Sequence, residues 1–239
     1  AGETSGTTFT DLIKGITATM KSGNSGALPQ RSVTGVLMVG TVLTSSTSNT
    51  GGFLELALGG EIIGGPMTIE IVAQWNAFNN YSRLFDCGNG GFQDRIVVYN
   101  KATEGKLALG IGAKYLTPSL TSLELGVRYH TVMTVAGTTM ISYINGVQMG
   151  ETVSGSEPAA IARSQCYIGK SDWASDGDLS GEVSSLKIYS GAMTPSQVTA
   201  AYQTAFPFLE YYWDFREESG GTTYTDSIKG ITATMKSGN

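Results

Sequence analysis

Short runs of strand-forming residues, separated by turn residues, recur along most of the chain. Polar and apolar residues alternate within several of them, as between Thr68 and Ala73, and this period is typical of a strand with one buried face. The pattern therefore predicts an antiparallel, all-β domain. The predicted strands cover residues 35–43, 52–58, 68–75, 82–86, 95–99, 106–112, 129–136, 140–145, 165–169 and 182–189.

Two short segments predict their own local structure. Asn145 and Gly146 stand between two apolar runs, and this pair favours a two-residue hairpin turn because both residues tolerate a positive φ. Thr194, followed by Pro, Ser and Gln, matches the start of a helix, with a capping Thr and a Gln that completes a capping box. Apolar residues then recur at helical spacing until Phe206. We expect one short helix over 194–205, which plugs one open end of the core.

The two ends of the chain carry almost the same sequence. Residues 7–24 read TTFTDLIKGITATMKSGN and residues 222–239 read TTYTDSIKGITATMKSGN, which differ at only two positions. The offset from residue 7 to residue 222 is the length of a whole domain, so we interpret the chain as one repeat of a tandem array plus the start of the next. Two alternatives stay open: symmetric strands within a single sandwich, and strand exchange between separate subunits.

Composition and charge narrow the classes of function. Charged residues make up 15% of the chain, the formal net charge is -5, and no cluster of Lys or Arg could neutralise a run of phosphates. A nucleic-acid partner is therefore not expected. The single histidine, His130, and the two cysteines exclude a site with two imidazoles or four thiolates, and we interpret His130 as structural. No segment approaches the ~20 apolar residues that span a bilayer, so direct membrane insertion is not expected.

An acidic loop offers the one candidate metal site. Asp172, Asp176 and Asp178 lie around a glycine, with Glu182 beyond them. Oxygen-rich loops of this kind suit Ca²⁺, which takes about six to eight oxygen ligands. The alternative is that these carboxylates are solvated and cap turns, so calcium is the only cofactor for which the sequence offers a candidate site.

Three stretches of the chain resemble laminin G-like members of the concanavalin A-like lectin/glucanase superfamily. They are RYHTVMTVAGTTMISYINGVQMGE at 128–151, YIGKSDWASDGDLSGEVSSLKIYSGAMTPSQVTAAY at 167–202, and TIEIVAQWNAFNNYSRLFDCGNG at 68–90. The resemblance implies a jelly-roll sandwich of two antiparallel sheets, with about six or seven strands in each. It also implies that the family's opening strand, an aromatic-Trp-Asp-Phe segment, lies here beyond the helix, at 211–215.

The position of that strand sets the expected domain boundary. Residues 1–207 would form a laminin G-like sandwich that lacks its own opening strand, and residues 208–239 would open the next repeat or pack on a neighbouring unit. A fold-back of 211–215 into the same sandwich is the alternative. The residues expected to contact the adjoining unit are Tyr211, Tyr212, Trp213, Asp214 and Phe215.

The resemblance also bears on metal binding and catalysis. Calcium-binding relatives place ligands in the acidic loop and in the loop after residues 83–87, where this chain has Asn89 and Asp94. Retaining glucanases of the superfamily carry a Glu-x-Asp-x-x-Glu pattern on one strand. The nearest match here begins at Tyr212 and so lacks the first Glu. We therefore expect no enzymatic activity.

The cysteines and a glycosylation sequon both bear on whether the protein is extracellular. Cys87 and Cys166 lie on strands that relatives bring close together, and a disulfide would fit an extracellular protein, whereas two buried free thiols are the alternative. Asn80 begins the sequence Asn-Tyr-Ser, an N-glycosylation sequon in a predicted turn.

These observations lead to two hypotheses for function. The first is an extracellular or cell-surface structural repeat, which assembles head to tail with neighbouring copies into a filament or adhesin. The second is a carbohydrate-binding or calcium-dependent adhesion module, whose repetition adds avidity for glycans. Trp75 and Trp173 could stack on a sugar ring, although packing in the core or at an edge explains them as well.

Overall fold

Antiparallel strands make up most of the regular structure. The computed structural model describes residues 8–10, 17–21, 30–31, 36–38, 52–58, 60–92, 94–116, 122–206, 223–225 and 232–234. The strands are β1 (Thr8–Thr10), β2 (Thr17–Lys21), β3 (Gln30–Arg31), β4 (Val36–Met38), β5 (Phe53–Ala57), β6 (Ile62–Ile63), β7 (Met67–Ala77), β8 (Arg83–Gly88), β9 (Ile96–Asn100), β10 (Leu107–Ile111), β11 (Lys114–Leu116), β12 (Arg128–Ala136), β13 (Thr139–Ile144), β14 (Val147–Ser154), β15 (Ile161–Ala162), β16 (Gln165–Ile168), β17 (Ser180–Tyr189), β18 (Thr223–Thr225) and β19 (Thr232–Thr234). One helix, α1 (Pro195–Ala205), follows β17.

Two large sheets form the predicted sandwich. Sheet A has the order β1-β2-β5-β16-β8-β9-β10-β11, and sheet B has the order β14-β13-β12-β7-β17-β4-β3. Sheet A has more strands than expected because the N-terminal hairpin, β1 and β2, extends it beyond β5. The all-β jelly-roll prediction is confirmed.

Alternate residues of the central strands fill the space between the sheets. On β7, Ile69, Ile71 and Trp75 face the core and are almost fully buried, while Thr68 and Glu70 point to the opposite side. Burial of each large apolar side chain contributes about 1.5–3 kcal/mol. Trp75 is therefore a core residue, as the alternative interpretation of this tryptophan held.

The predicted hairpin turn is confirmed. Asn145 and Gly146 join β13 to β14 with φ angles of 51° and 81°. Asn145 Oδ1 also accepts a hydrogen bond from the backbone N–H of His130 at 3.0 Å. The side chain of Tyr202 packs over Gly146, where a Cβ would lie 3.3 Å from it.

Helix α1 begins where the sequence predicts, but it does not plug an end of the core. Thr194 caps it, and the Thr194 and Gln197 side chains complete the capping box. Its buried residues, Val198 and Tyr202, lie against the outer face of sheet B. The reason is that Val132 and Tyr143 on that face are apolar and pack against the helix. Here and below, the outer face of a sheet is the side that points away from the core between the two sheets.

The repeated end segments form the same local structure. Thr8, Phe9 and Thr10 of β1 pair with Thr19, Ala18 and Thr17 of β2, and the equivalent residues of β18 and β19 pair in the same register. The expected inter-unit strand at 211–215 lies outside the described residues, so the domain boundary near residue 207 stays a prediction. In the described parts of the chain, no helix is long and apolar enough to cross a bilayer.

Candidate functional site

Exposed aromatic side chains gather on the outer face of sheet A. Among the described residues, the aromatic side chains that are exposed are those of Tyr81 (37%), Phe92 (45%) and Tyr115 (42%). All three lie on or beside sheet A. Sheet B carries helix α1 on its outer face. On the outer face of sheet A, Asp86 and Tyr99 are buried, so the surface open to a ligand there is that of the exposed rings.

A row of three tyrosines crosses one end of this face. The ring centroid of Tyr99 lies 6.1 Å from that of Tyr81 and 6.3 Å from that of Tyr115. The Arg83 guanidinium stands 4.6 Å from the Tyr99 ring centre, a cation–π distance. Burial raises the pKa of Tyr99 to about 12, so its hydroxyl stays protonated at neutral pH. Gly110 leaves room for the row, because a Cβ there would lie 2.8 Å from the Tyr115 ring.

A second aromatic group lies where the acidic loop meets the sheet. Phe92 and Trp173 meet edge to face with their centroids 4.2 Å apart. The Arg95 guanidinium lies 5.0 Å from the Trp173 ring centre. Trp173 is thus a partly exposed loop residue at the border of this face, where it packs between an aromatic ring and a cation.

A third group continues the face toward β5. The rings of Phe53 on β5 and Tyr167 on β16 meet edge to face at 5.7 Å. Lys170 Nζ lies 4.6 Å from the first ring centre and 4.7 Å from the second. The face therefore combines aromatic rings with cationic groups along most of its width.

A buried ionic cluster holds these groups in place. Asp86 is 1% exposed and accepts hydrogen bonds from Arg95 Nε at 2.9 Å and from Arg83 Nε at 3.3 Å. The backbone N–H of Asp172 also donates to it, at 3.2 Å. A bulge between Arg83 and Phe85 lets Arg83 and Asp86 share a face, which strict alternation would not allow.

The same cluster fixes the acidic loop. Asp176 accepts hydrogen bonds from Arg83 Nη2 and from the hydroxyl of Ser171, the latter at 2.8 Å. Burial lowers the pKa of Arg83, against the opposing effect of the Asp176 carboxylate. Burial also disfavours the charged form of Arg95, but its hydrogen bond to Asp86 and the negative charges of Asp86 and Asp176 together outweigh this and raise the Arg95 pKa. Both guanidiniums stay charged, since arginine keeps its proton in proteins.

The structure places three of the candidate calcium ligands in hydrogen bonds, through the backbone at Asp178 and Asp94 and through the side chain at Asn89. The Asp178 backbone carbonyl accepts from Asn79 Nδ2 at 2.8 Å. Asn89 Oδ1 accepts from the backbone N–H of Ser164 at 3.0 Å, and the Asp94 carbonyl accepts from Arg163. Within the described residues, no three His, Cys, Asp or Glu side chains are grouped to hold a metal. Calcium binding stays a prediction.

An open cleft of about 600 Å³ lies at the β2 and β5 end of sheet A. Lys21 and Glu55, each nearly half exposed, form an ion pair at 3.2 Å there. The buried Arg163 guanidinium donates to the backbone carbonyls of Ala159 and Asp94, so it shapes the cleft wall. The lining residues are Thr19, Lys21, Glu55, Leu56, Ala57, Leu58, Gly60, Asn89, Ala162, Arg163 and Ser164.

The structure decides the cysteine alternative and places the sequon. Cys87 and Cys166 stand directly opposite on β8 and β16 and form a disulfide, so the alternative of free thiols is wrong. Asn80 is partly exposed, and its backbone carbonyl accepts from the Gly177 N–H at 2.7 Å. Ser82 of the sequon is fully buried.

His130 belongs to a buried polar group under helix α1. It is 0% exposed, its Nε2 lies 3.4 Å from Glu70 Oε1, and its ring contacts Tyr202. Burial would raise the pKa of Glu70, but the nearby His130 and the hydrogen bonds from Lys187 and Tyr189 lower it to about 2. The structural role expected for His130 agrees with this placement.

The sequence alone did not single out the tyrosine row. Along β9, Val97 and Tyr99 face outward and Ile96 and Val98 face the core, yet all four are apolar or aromatic. The pattern of apolar and polar residues therefore does not predict which face of the sheet each of these four residues occupies. The spacing of Tyr99 and Tyr115 becomes informative only once β9, β10 and β11 are known to be neighbours.

Solved structures share the fold. A Trypanosoma rangeli sialidase in complex with 2,3-difluoro-KDN matches 84% of this chain with a TM-score of 0.59 and 16% identity. A mutant of that sialidase displaying trans-sialidase activity matches 86% of this chain, with a TM-score of 0.59 and 17% identity. The matches cover only 31% and 32% of those chains, and at this identity they show the fold alone.

A further solved structure is itself a single domain. Domain 4 of AbnA, an extracellular GH43 arabinanase of Geobacillus stearothermophilus, was solved in complex with arabinotriose. It matches 78% of this chain and 88% of its own length, with a TM-score of 0.56 and 18% identity.

Sequence comparison gives the family. No curated protein sequence matches this chain. The family model described as the concanavalin A-like lectin/glucanases superfamily matches residues 46–199, which is more than half of the chain. The match spans sheet-forming segments of both sheets, including the disulfide-bonded strands. This chain therefore belongs to the concanavalin A-like lectin/glucanases superfamily, as a laminin G-like domain.

Proposed function

We propose that this protein is an extracellular carbohydrate-binding domain without catalytic activity, and that it binds glycans on the outer face of sheet A. The observation that carries the proposal is the gathering of Tyr81, Phe92 and Tyr115, the exposed aromatic residues of the described chain, on that one face. The disulfide supports an oxidising, extracellular location.

The chemistry of the face suits a sugar. The C–H faces of a pyranose or furanose ring stack on aromatic rings, and tyrosine adds a hydroxyl for hydrogen bonding. Next to the aromatic groups, the 600 Å³ cleft offers the ion pair of Lys21 and Glu55 to sugar hydroxyls. Its size is that of a small-molecule site. The arabinanase domain of similar fold was solved with arabinotriose, which supports oligosaccharides as the ligand class.

Binding experiments test the role of the tyrosines. A glycan array, with arabinotriose included, identifies the best ligand, and calorimetry then measures its affinity for each variant. We expect Tyr115→Ala and Tyr81→Ala each to weaken binding about tenfold, because each removes a stacking surface of about 1 kcal/mol or more. Val147→Ala is the matched control, since Val147 is an exposed apolar residue on β14, the edge strand of sheet B. Equal affinity of all three variants would overturn the site.

A second candidate function is head-to-tail assembly of a structural repeat. Strand β17 pairs with β4 only at Gly181, Glu182 and Val183, and among the described residues no strand covers its outer edge at 184–189. Leu186 and Ile188 on this edge pack against the core but are only partly buried. An open edge with partly exposed apolar side chains favours the addition of another strand. We propose that residues 211–215 of a neighbouring unit fill it.

The size of the protein in solution tests this second candidate. Light scattering at increasing concentration should show assemblies of the wild-type chain that Trp213→Glu abolishes. In denaturant, exchanged subunits run near 25.1 kDa, whereas a covalent array runs as one much larger polypeptide. A wild-type chain that remains a 25.1 kDa monomer at every concentration would contradict assembly.

A further inference from the structure

The chain carries two copies of one docking element. The N-terminal hairpin is β1 with β2, and the C-terminal hairpin is β18 with β19. Their cross-strand pairs are equivalent, since Thr8 opposite Thr19 in the first becomes Thr223 opposite Thr234 in the second. The second strand of each hairpin lies in the same five-residue sequence, Thr-Ala-Thr-Met-Lys, at 17–21 and at 232–236.

The N-terminal hairpin shows where such an element docks. Strand β2 pairs along all five residues of β5, with Thr19 opposite Glu55 and Lys21 opposite Phe53. The Lys21 ammonium also forms the ion pair with Glu55. Lys236 is the counterpart of Lys21 in the second copy, so the C-terminal hairpin offers the same hydrogen-bonding edge and the same charge to β5.

The C-terminal hairpin has no such partner among the described residues. It forms a sheet of two strands only, and an isolated two-stranded hairpin is at most marginally stable in water. The β5 edge of its own chain is already occupied by β2. One docking edge and two equivalent hairpins are therefore present in every copy.

We propose that the C-terminal hairpin docks on the β5 edge of a second copy of this chain, in place of that copy's N-terminal hairpin. This inference goes beyond glycan binding and deepens the assembly proposed above, because it names a second contact between units. The N-terminal hairpin then acts as a cap that keeps the β5 edge closed. Release of the cap opens the edge to the next copy, and the contact repeats head to tail without closing.

Proline substitutions at equivalent positions test the exchange. Ala18 lies on β2, between β1 and β5, where a proline removes a ladder hydrogen bond and is not tolerated. We expect Ala18→Pro to open the β5 edge and to raise the mass in solution above that of the wild-type chain at the same concentration, by at least one further copy of 25.1 kDa. The matched control, Ala233→Pro, should leave the mass at the wild-type value. The double variant should lose the association gained by Ala18→Pro.

Disulfide trapping identifies the partner of the β5 edge. Glu55→Cys with Thr234→Cys, in the Ala18→Pro background, should give a ladder of cross-linked oligomers on a non-reducing gel. Glu55→Cys with Thr19→Cys, in the wild-type background, is the control, and it should give a cross-linked monomer because these positions are opposite within one chain. The native Cys87 and Cys166 are buried in their own disulfide and do not compete.

Each outcome of the trap decides the proposal. A cross-linked monomer from Glu55→Cys with Thr234→Cys would show that the hairpin docks on its own chain, and it would overturn the proposal. If Ala18→Pro fails to fold, the same cysteine pair in the wild-type background replaces it, and absence of any intermolecular cross-link there overturns the proposal. Failure of the hairpin contact is distinguishable from failure of assembly through 211–215, which the Trp213→Glu variant reports separately.

Discussion

At the scale of single residues, the candidate site depends on ion pairs that are almost completely buried. Asp86 sits between Arg83 and Arg95, and Asp176 joins the same group from the acidic loop. A buried ion pair adds little net stability compared with an apolar replacement, but removal of one partner leaves a buried charge unpaired. The cluster therefore serves to position Tyr99 and Trp173 on the face rather than to drive folding.

Loss of the central carboxylate should be costly. Asp86→Asn removes the charge that two guanidiniums share, so we expect it to lower the free energy of unfolding by about 3–5 kcal/mol. Chemical denaturation measures the change. Glu104→Gln is the control, because Glu104 forms an exposed ion pair with Lys106 and should change stability by less than about 1 kcal/mol. Equal effects of the two variants would contradict the role assigned to Asp86.

Glu70 makes the stability of the domain depend on acid pH. Its pKa is about 2 in the folded protein and 4.5 without the fold. A carboxyl group with a lowered pKa contributes stability above the unfolded value and loses it as pH falls through the folded value. We expect stability to decline between pH 4.5 and about 2, by on the order of 3 kcal/mol from this group. Denaturation of Glu70→Gln at several pH values should show a shallower decline, and an unchanged profile would contradict the assignment.

At the scale of elements, the sequence predicts the structure of short segments, but it does not predict the candidate site. Asn145 with Gly146 and the capping box at Thr194 were predictable because each depends on residues within four positions of one another. The contacts of Arg83 and Asp176 join residues 93 positions apart. No local pattern encodes such a pairing, and the bulge before Phe85 changes which face Arg83 occupies.

The disulfide links two neighbouring strands of sheet A. Cys87 and Cys166 are separated by 79 residues of sequence, and a cross-link over a loop of this length restricts the unfolded chain strongly. We expect the double variant Cys87→Ser with Cys166→Ser to lose about 2–5 kcal/mol of stability. Denaturation measures the loss, and mass mapping without reductant should recover the two cysteines as one linked pair. Recovery of both as alkylated thiols in the wild-type protein would contradict the bond.

The acidic loop should keep its conformation without a metal. Its carboxylate Asp176 and its backbone at Asp172 are held by Arg83 and Asp86. We expect a chelator to leave the circular dichroism spectrum unchanged, while added calcium raises the melting temperature by a few degrees at most if the loop binds it. Complete loss of structure in chelator would show that a metal, rather than the ionic cluster, organises the loop.

At the scale of the whole molecule, the two sheets offer surfaces for different kinds of contact. Sheet B carries the helix on its outer face, and among the described residues no strand covers the outer edge of β17 over 184–189, which suits contact with a neighbouring unit. Sheet A carries the exposed aromatic rings on its outer face and the repeated hairpin at its β5 edge. Glycan binding and assembly would therefore use separate surfaces, and a repeated unit could gain avidity without losing its binding face.

Mapping the bound glycan by NMR is the most direct test of the central claim, that the outer face of sheet A is the binding surface. The probe is the glycan that the array retains best, titrated into isotope-labelled protein. The largest chemical-shift changes should fall on Tyr99, Gly110, Tyr115 and Trp173, with little change at Val198 in the helix. Changes confined to the helix side, or no change at saturating glycan, would contradict the account.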